Sequence, residues 1–551
     1  MLYFSSYQFQ AERDVSNEYA DYQPGSLITT DRLIKDLDNF DIVFHIGDMP
    51  YANGYISQWD QFTSQVEPIA SVVPYMVASG NHERDTTGTG SFYDTNDSGG
   101  ECGVPAETMY YVPAENRAKF WYATDYGMFH FCIADTEHDW REGSEQYKFI
   151  EKCFASANRH KQPWLIFAVH CVLGYSSDTW YVDEGSFEEP MGRDDMQKRW
   201  QRYNVDIAFY GHVHNYERIC PIYQNQCVNS EIFNYSGTVN GTIHVVVGGG
   251  GSQLSDFSTL KTVWSIYQDL DFGYTKLTAY NHSSLLFEYM KSRGYTKTGI
   301  ATLKFQLINQ RADFSFALFS GGLSNPKLVA VSNILTFANS KAPVYPRLAQ
   351  GKSWNEMTVT WTSGYSIGEA VPFVEWGMQG DTQKRSAAAT LTFDQSSLCG
   401  SPARTVGWRD PGFIHTSFLK NLWPNTVYTY RMGHRLSDGR YIRSKVYSFR
   451  SSPYPGQDSL QRVVIFGDMG KAERDGSNEY SDYQPGALNI TDQHRWNPLH
   501  LLCHIWLAAV ITNVIGLIRG PITMEWIQVE NVACNGGANV TPVGARAQSA
   551  D

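Results

Sequence analysis

Four apolar runs, each ending in a cluster of small and polar residues, constrain this chain more than any other feature. "FDIVFHIGD" at 40–48, "VPYMVASGNHE" at 73–83, "WLIFAVH" at 164–170 and "VDIAFYGHVH" at 205–214 each read as a buried strand running into a turn. In an open α/β sheet the loops beyond the C-terminal strand ends converge, so polar residues delivered there share one site. Amphipathic stretches such as "SEQYKFIEKCFASA" fit as connecting helices, with "GTIHVVVGGGG" and "SSLLFEYM" as later strands of the same sandwich.

Around 292–296 the pattern changes to short alternating runs. "EMTVTWTSG" at 356–364 alternates with period two, and "LWPNTVYTYRMG" at 422–433 carries Pro, Thr and Tyr as they occur at a tyrosine corner, which points to an all-β sandwich of fibronectin type III kind. The linker "SSPYPGQDS" then precedes a further apolar strand, "RVVIFGD". Behind it the chain repeats itself, because residues 472–492 match 11–31 at sixteen of twenty-one positions. The segments in front of the two copies differ, and Asp468 stands late where Tyr7 stands early.

A formal charge of -13 argues against binding a nucleic-acid polymer, and any phosphate-bearing ligand would need local positive charge such as a metal. Hydrophobic residues at 42% with 18% charged ones indicate packed globular material. Nine cysteines read as too few for a disulfide framework, although Cys220 and Cys227 bracket a short loop and could pair. Glycosylation acceptors at Asn96, Asn234, Asn240, Asn281, Asn489 and Asn539 lean towards secretion, whereas "MLYFSSYQFQ" is not a secretory signal. The apolar run 501–518 is interrupted by His504, Thr512 and Asn513 and makes only a marginal membrane span.

The strand-end residues are Asp48 and Tyr51, then Asn81 and His82, then His170, then His212 and His214. A His-x-His pair alone is more often packed or solvated than ligating, but a carboxylate, an amide, a phenol and three imidazoles at one sheet edge form a donor set. Carboxylate and imidazole suit first-row divalent or trivalent metals, and the absence of Cys argues against a structural zinc knot. Asp48 can bridge two ions, and such a pair activates water for in-line displacement at phosphorus. His82 adjoins a ligand position and precedes Asp85, which could fix its tautomer.

The ordered set GDxG, GDxxY, GNHE, a VxxH-like segment and GHxH resembles the plant purple acid phosphatases of long-chain type, within the calcineurin-like metallophosphoesterases. That resemblance implies an α/β metallophosphoesterase sandwich, α+β with two mixed sheets flanked by helices, plus the fibronectin-like domain. It implies Fe(III) held by Tyr51, Asp48 and His214, a divalent Zn or Mn held by Asn81, His170 and His212, and a metal-bound hydroxide as nucleophile. His82 would contact the phosphoryl group. The activity implied is acid phosphatase hydrolysis of phosphate monoesters, with a nucleotide pyrophosphatase/phosphodiesterase or an inactive relative as alternatives. The resemblance also implies a secreted or cell-wall glycoprotein and leaves a homodimer open.

The order is rotated. The reading assigns 10–292 to a catalytic domain lacking its first GDxG strand and 295–341 to a partial accessory β region. The fibronectin-like domain then takes 342–453, the start of a second catalytic copy 460–492, and an unmatched tail 493–551. Either the chain joins the tail of one tandem copy to the head of the next, or it also folds as an overlapping circular permutant in which Asp468 completes the iron site. Loop closure favours the local segment "LYFSSYQF" for the vacant strand position, which would set Tyr7 against the metal. A second departure follows His170, where Cys171 replaces an expected Arg and no histidine precedes His212.

Overall fold

The computed structural model describes residues 2–6, 24–178, 192–229, 231–232, 235–237, 239–252, 254–257, 262–291, 309–320 and 327–470. Two sheets face each other across the main core. The first has the strand order Ser284–Lys291, Gly273–Asn281, Gln461–Phe466, Ile42–Ile46, Tyr75–Ala78. The second runs Ser265–Asp269, Tyr216–Ile219, Ile243–Val247, Ile207–Tyr210, Trp164–Val169, Phe129–Ile133, Tyr122–Tyr126. Phe44 of one sheet meets Phe131 of the other at a ring-centroid distance of 4.2 Å. Helix Ser57–Ala70 buries Trp59, Phe62, Val66 and Ile69, spaced three and four apart, in this core. On the far face of the second sheet, helices Glu145–Ser156 and Gly192–Tyr203 bury Ile150, Phe154, Met196 and Trp200 against Leu165 and Phe167.

The strand Gln461–Phe466, far from the rest in sequence, lies at the centre of the first sheet. It pairs in parallel with Ile42–Ile46, Val463 opposite Ile42 and Ile465 opposite Phe44, and antiparallel with Gly273–Asn281. The early segment Leu2–Ser6 instead pairs antiparallel with Phe314–Ser320, in a separate three-stranded sheet completed by Lys327–Val331. The loop-closure expectation is therefore overturned. A roughly tenfold longer loop costs only about 2 kcal/mol more, and in the register that sets Tyr7 at Asp468 the early segment would place Ser5 where the buried Phe466 contributes roughly 1.5 to 3 kcal/mol. Val463, Val464, Ile465 and Phe466 are all fully buried, as a strand covered on both faces requires. That serine would bring a hydroxyl into the core, and Ser6 would stand at Gly467, where a Cβ would lie 3.1 Å from Gly211 Cα.

The repeat now has a spatial meaning. The strand comes from the late copy and the helix behind it, Pro24–Lys35, from the early one, with the Thr30 hydroxyl 3.7 Å from Met469 Sδ. Together they make one strand-to-helix unit from two ends of the chain. Tyr7 and residues 471–551, including Asn489, Asn539 and the apolar run 501–518, lie outside the described residues. No helix among the described residues is long and apolar enough to cross a membrane.

Eight further strands between Val344 and Arg450 form the second body. Leu348, Val359, Trp361 and Leu419 pack there on Val374, Tyr430 and Phe449. Tyr428 accepts a hydrogen bond from the backbone N–H of Trp423 at 2.9 Å, the return contact of a tyrosine corner. This sandwich is tied to the first body by Arg311, which reaches Asp60 at 2.8 Å and the Asp410 carbonyl at 3.1 Å, by the Tyr430 hydroxyl donating to the Ser71 carbonyl at 2.9 Å, and by the disulfide Cys102–Cys399. Cys132–Cys153 and the expected Cys220–Cys227 pair are also bonded. The expectation of no framework is thus corrected: the three bridges span 297, 21 and 7 residues, and the longest joins the two bodies.

Candidate metal centre

Every candidate ligand follows the C-terminal end of a strand. Asp48 and Tyr51 follow Ile42–Ile46, Asn81 opens the short helix after Tyr75–Ala78, His170 follows Trp164–Val169, and His212 and His214 follow Ile207–Tyr210. Asp468 follows Gln461–Phe466 and is fully buried. Asp48, Tyr51, Asn53, His212 and Asp468 all adopt positive φ, at 50°, 49°, 47°, 65° and 56°. Such backbone costs about 1–3 kcal/mol per residue and persists where the surrounding fold imposes it. The close approach of these turns also demands glycine. A Cβ on Gly80 would lie 2.3 Å from Asp48 Oδ1 and one on Gly211 2.6 Å from Asp468 Oδ2.

The donor atoms fall into two groups that share Asp48. In the first, Tyr51 Oη lies 2.8 Å from His214 Nε2 and donates to Asp468 Oδ1 at 3.2 Å, with His214 Nε2 3.5 Å from that oxygen. Ligand atoms of Asp48, His214 and Asp468 all lie within 4.8 Å of one another. In the second, Asn81 Oδ1 lies 3.0 Å from His170 Nε2 and 3.1 Å from His212 Nδ1, and His170 Nε2 lies 3.3 Å from Asp48 Oδ1. His170 Nδ1–H donates to the Ile46 carbonyl at 3.0 Å, so Nε2 is the nitrogen that faces the site. The structure thus brings together all seven residues that sequence reasoning named as ligands.

Electrostatics favour a cation here. Two buried carboxylates with imidazoles, an amide oxygen and a phenol form a donor set that needs compensating positive charge. Burial opposes ionisation of Asp48, but His170 and His82 outweigh it and hold its carboxyl well below the usual range. Burial also opposes charge on His170, yet the carboxylates of Asp48 and Asp468 raise its pKa well above the ordinary value. Burial, reinforced by Asp48 and Asp468, pushes the Tyr51 phenol far up, and burial next to His170 lowers His212 to about 3. These residues fit a pair of metal ions.

Three residues that sequence reasoning missed hold the set in place. Glu83 accepts backbone N–H groups from Asp48 at 2.8 Å, Met49 at 2.8 Å and Gly80 at 3.0 Å, stitching two strand-end turns together. Its place in the "GNHE" run was the available signal. Asn53 Oδ1 lies 2.7 Å from His82 Nδ1, so Asn53 and not Asp85 orients that ring. Asp85 follows the short helix in extended backbone and is fully buried, its Oδ2 accepting from the Thr95 hydroxyl at 3.1 Å. Asp97 Oδ2 accepts from Asn81 Nδ2 at 3.0 Å. Neither Asn53 nor Asp97 stands at a spacing that betrays its partner.

Cys171, where a cation was expected, is buried with Sγ 3.5 Å from Glu137 Oε1. Among the glycosylation candidates Asn96, Asn240 and Asn281 are exposed, while Asn234 lies outside the described residues.

Family models match in an order that mirrors the rotation. "Calcineurin-like phosphoesterase" matches 18–216, "Iron/zinc purple acid phosphatase-like protein C" 241–300, "Fn3-like domain from Purple Acid Phosphatase" 275–339 and "Purple acid Phosphatase, N-terminal domain" 343–451. The nominally N-terminal module therefore follows the catalytic one. A barley (Hordeum vulgare) protein named "Nucleotide pyrophosphatase/phosphodiesterase" is 72% identical over 283 residues, covering 51% of this chain and 77% of that protein. An Arabidopsis thaliana protein named "Probable inactive purple acid phosphatase 27" is 74% identical over 283 residues, or 51% of this chain and 46% of its own length. The match thus spans about half the length of the Arabidopsis relative. A solved purple acid phosphatase from yellow lupin (Lupinus luteus) seeds shares 68% identity, covers 53% of this chain and 52% of that one, and gives a TM-score of 0.49.

Proposed function

Because the chain belongs to the purple acid phosphatase family of calcineurin-like phosphoesterases, we propose that it hydrolyses phosphate monoesters at the site bounded by Asp48 and Asp468. The observation that carries this reading is the position of Asp468, whose carboxylate lies 3.5 Å from His214 although 254 residues separate them in sequence. Asp48, Tyr51, His214 and Asp468 would hold Fe(III), and Asp48, Asn81, His170 and His212 would hold Zn(II) or Mn(II). When bound, such a pair lowers the pKa of a water and neutralises charge building on the phosphoryl oxygens.

The chain's own residues do the positioning. Asn53 engages His82 Nδ1, which leaves Nε2 of that half-exposed ring to face the substrate and pass a proton to the leaving oxygen. The backbone N–H of His82 donates to Asp48 Oδ1 at 3.0 Å, and that of His212 to Asp468 Oδ2 at 2.9 Å, so both carboxylates keep fixed orientations. A second reading, hydrolysis of nucleotide diesters or pyrophosphates, is supported by the name of the barley relative. Three disulfides support an oxidising, secretory compartment.

Purified protein should carry two metals, show a visible Tyr51-to-iron absorption band and turn over p-nitrophenyl phosphate faster than its bis ester. Faster turnover of the bis ester would favour the second reading. A colourless protein with no turnover of either ester would sink both.

A further inference from the structure

The amide of Asn81 has two ends of almost equal size and opposite chemistry. Only the oxygen can serve as a metal ligand, because the NH2 group has no lone pair to offer. In the structure Oδ1 faces His170 Nε2 and His212 Nδ1, at 3.0 and 3.1 Å, while Nδ2 donates to Asp97 Oδ2 at 3.0 Å. Turning the amide over would bring its oxygen against the Asp97 carboxylate and its NH2 into the metal position. The Asp97 carboxylate is itself held, since its Oδ2 lies 2.7 Å from the Thr95 hydroxyl, which also stands 3.1 Å from Asp85 Oδ2. The loop that carries them is anchored by Ser98, whose backbone N–H and hydroxyl both donate to the Asp85 carbonyl, at 3.0 and 2.8 Å.

We propose that Asp97 is the positioning residue that selects the ligating end of Asn81 and so sets the affinity of the divalent ion. The inference rests on the metal centre proposed above. Partners that orient metal ligands typically contribute 10- to 100-fold in metal affinity. A carboxylate has two equivalent oxygens and no wrong end, so the orientational part of the dependence on Asp97 should exist only while residue 81 carries an amide.

The test is calorimetric titration of Zn2+ into metal-free protein for wild type, Asp97→Ala, Asn81→Asp and the double variant, with melting of each metal-free protein as the control for folding. The expected result is a roughly 10- to 100-fold weaker Zn2+ affinity for Asp97→Ala at unchanged metal-free melting. Asp97→Ala should then cause a markedly smaller loss in the Asn81→Asp background, where only the attraction of the Asp97 charge for the cation is removed. Unchanged affinity in Asp97→Ala would overturn the inference. So would an equal loss in both backgrounds, because that would assign Asp97 a role in loop structure alone. Wild type that binds no Zn2+ would overturn the metal centre and this inference together, a pattern distinct from either of the others.

Discussion

At the scale of single residues, the chemistry of this chain depends on how each side chain is aimed. Asp48, Tyr51, Asn81, His170, His212 and His214 were legible because strand periodicity marks where each run ends and the sheet gathers those ends. The orientation of His82 was not legible, since its partner Asn53 comes from a different turn at no telling distance in sequence, and the nearby Asp85 accepts from the Thr95 hydroxyl instead. Replacing Asn53 by Ala frees the ring without removing it. The expected outcome is about a 10- to 100-fold lower kcat with KM little changed, measured on a chromogenic phosphate ester. Asp85→Asn should leave the proton-transfer limb of the pH profile unmoved.

At the scale of elements, the strand Gln461–Phe466 decides whether a site exists. Its insertion turned on a competition that sequence alone does not resolve, because loop closure favours the near segment and burial favours the more apolar one. Ile465 is fully buried between two neighbours, so Ile465→Ala should cost about 2–5 kcal/mol in thermal or denaturant unfolding. The same substitution size on the edge strand Lys327–Val331, at the exposed Val331, should fall within about 0.5 kcal/mol.

The sandwich carries its own pH dependence. His415 and His434 are buried with their Nε2 atoms 3.3 Å apart, flanked by Ser363, Thr390 and Trp361. Burial lowers His415 to about 3, with His434 adding to it, and burial lowers His434 to about 4. Between those values and the unfolded 6.5 the unfolded chain binds more protons than the folded one, so stability falls as pH drops. Each histidine contributes up to about 1.4 kcal/mol per pH unit in that window. Melting temperature should therefore decline from pH 7 to pH 4.5, and the slope should shrink in His415→Gln/His434→Gln.

At the scale of the whole molecule, the chain reads as a rotated purple acid phosphatase fold whose seam is closed in space. The rotation itself was legible, since the block 11–31 recurs at 472–492 and each copy lacks what the other supplies. The cross-links were not, because Cys102 and Cys399 are separated by 297 residues and lie on different bodies. That bridge joins the loop 98–103 to the sandwich, where Cys399 N–H also donates to the Gly100 carbonyl at 2.8 Å. Cys102→Ser/Cys399→Ser should lower unfolding free energy by up to about 5 kcal/mol, read in chemical denaturation without reductant.

The central claim is that a strand from the far end of the chain completes the metal centre built by residues 48–214. The most direct measurement is the number of metal ions per chain in wild type and in Asp468→Ala, determined by elemental analysis of protein that melts like wild type in its metal-free state. Two ions in wild type and at most one in the variant, with loss of the visible band, is the predicted result. Two ions in both would contradict it.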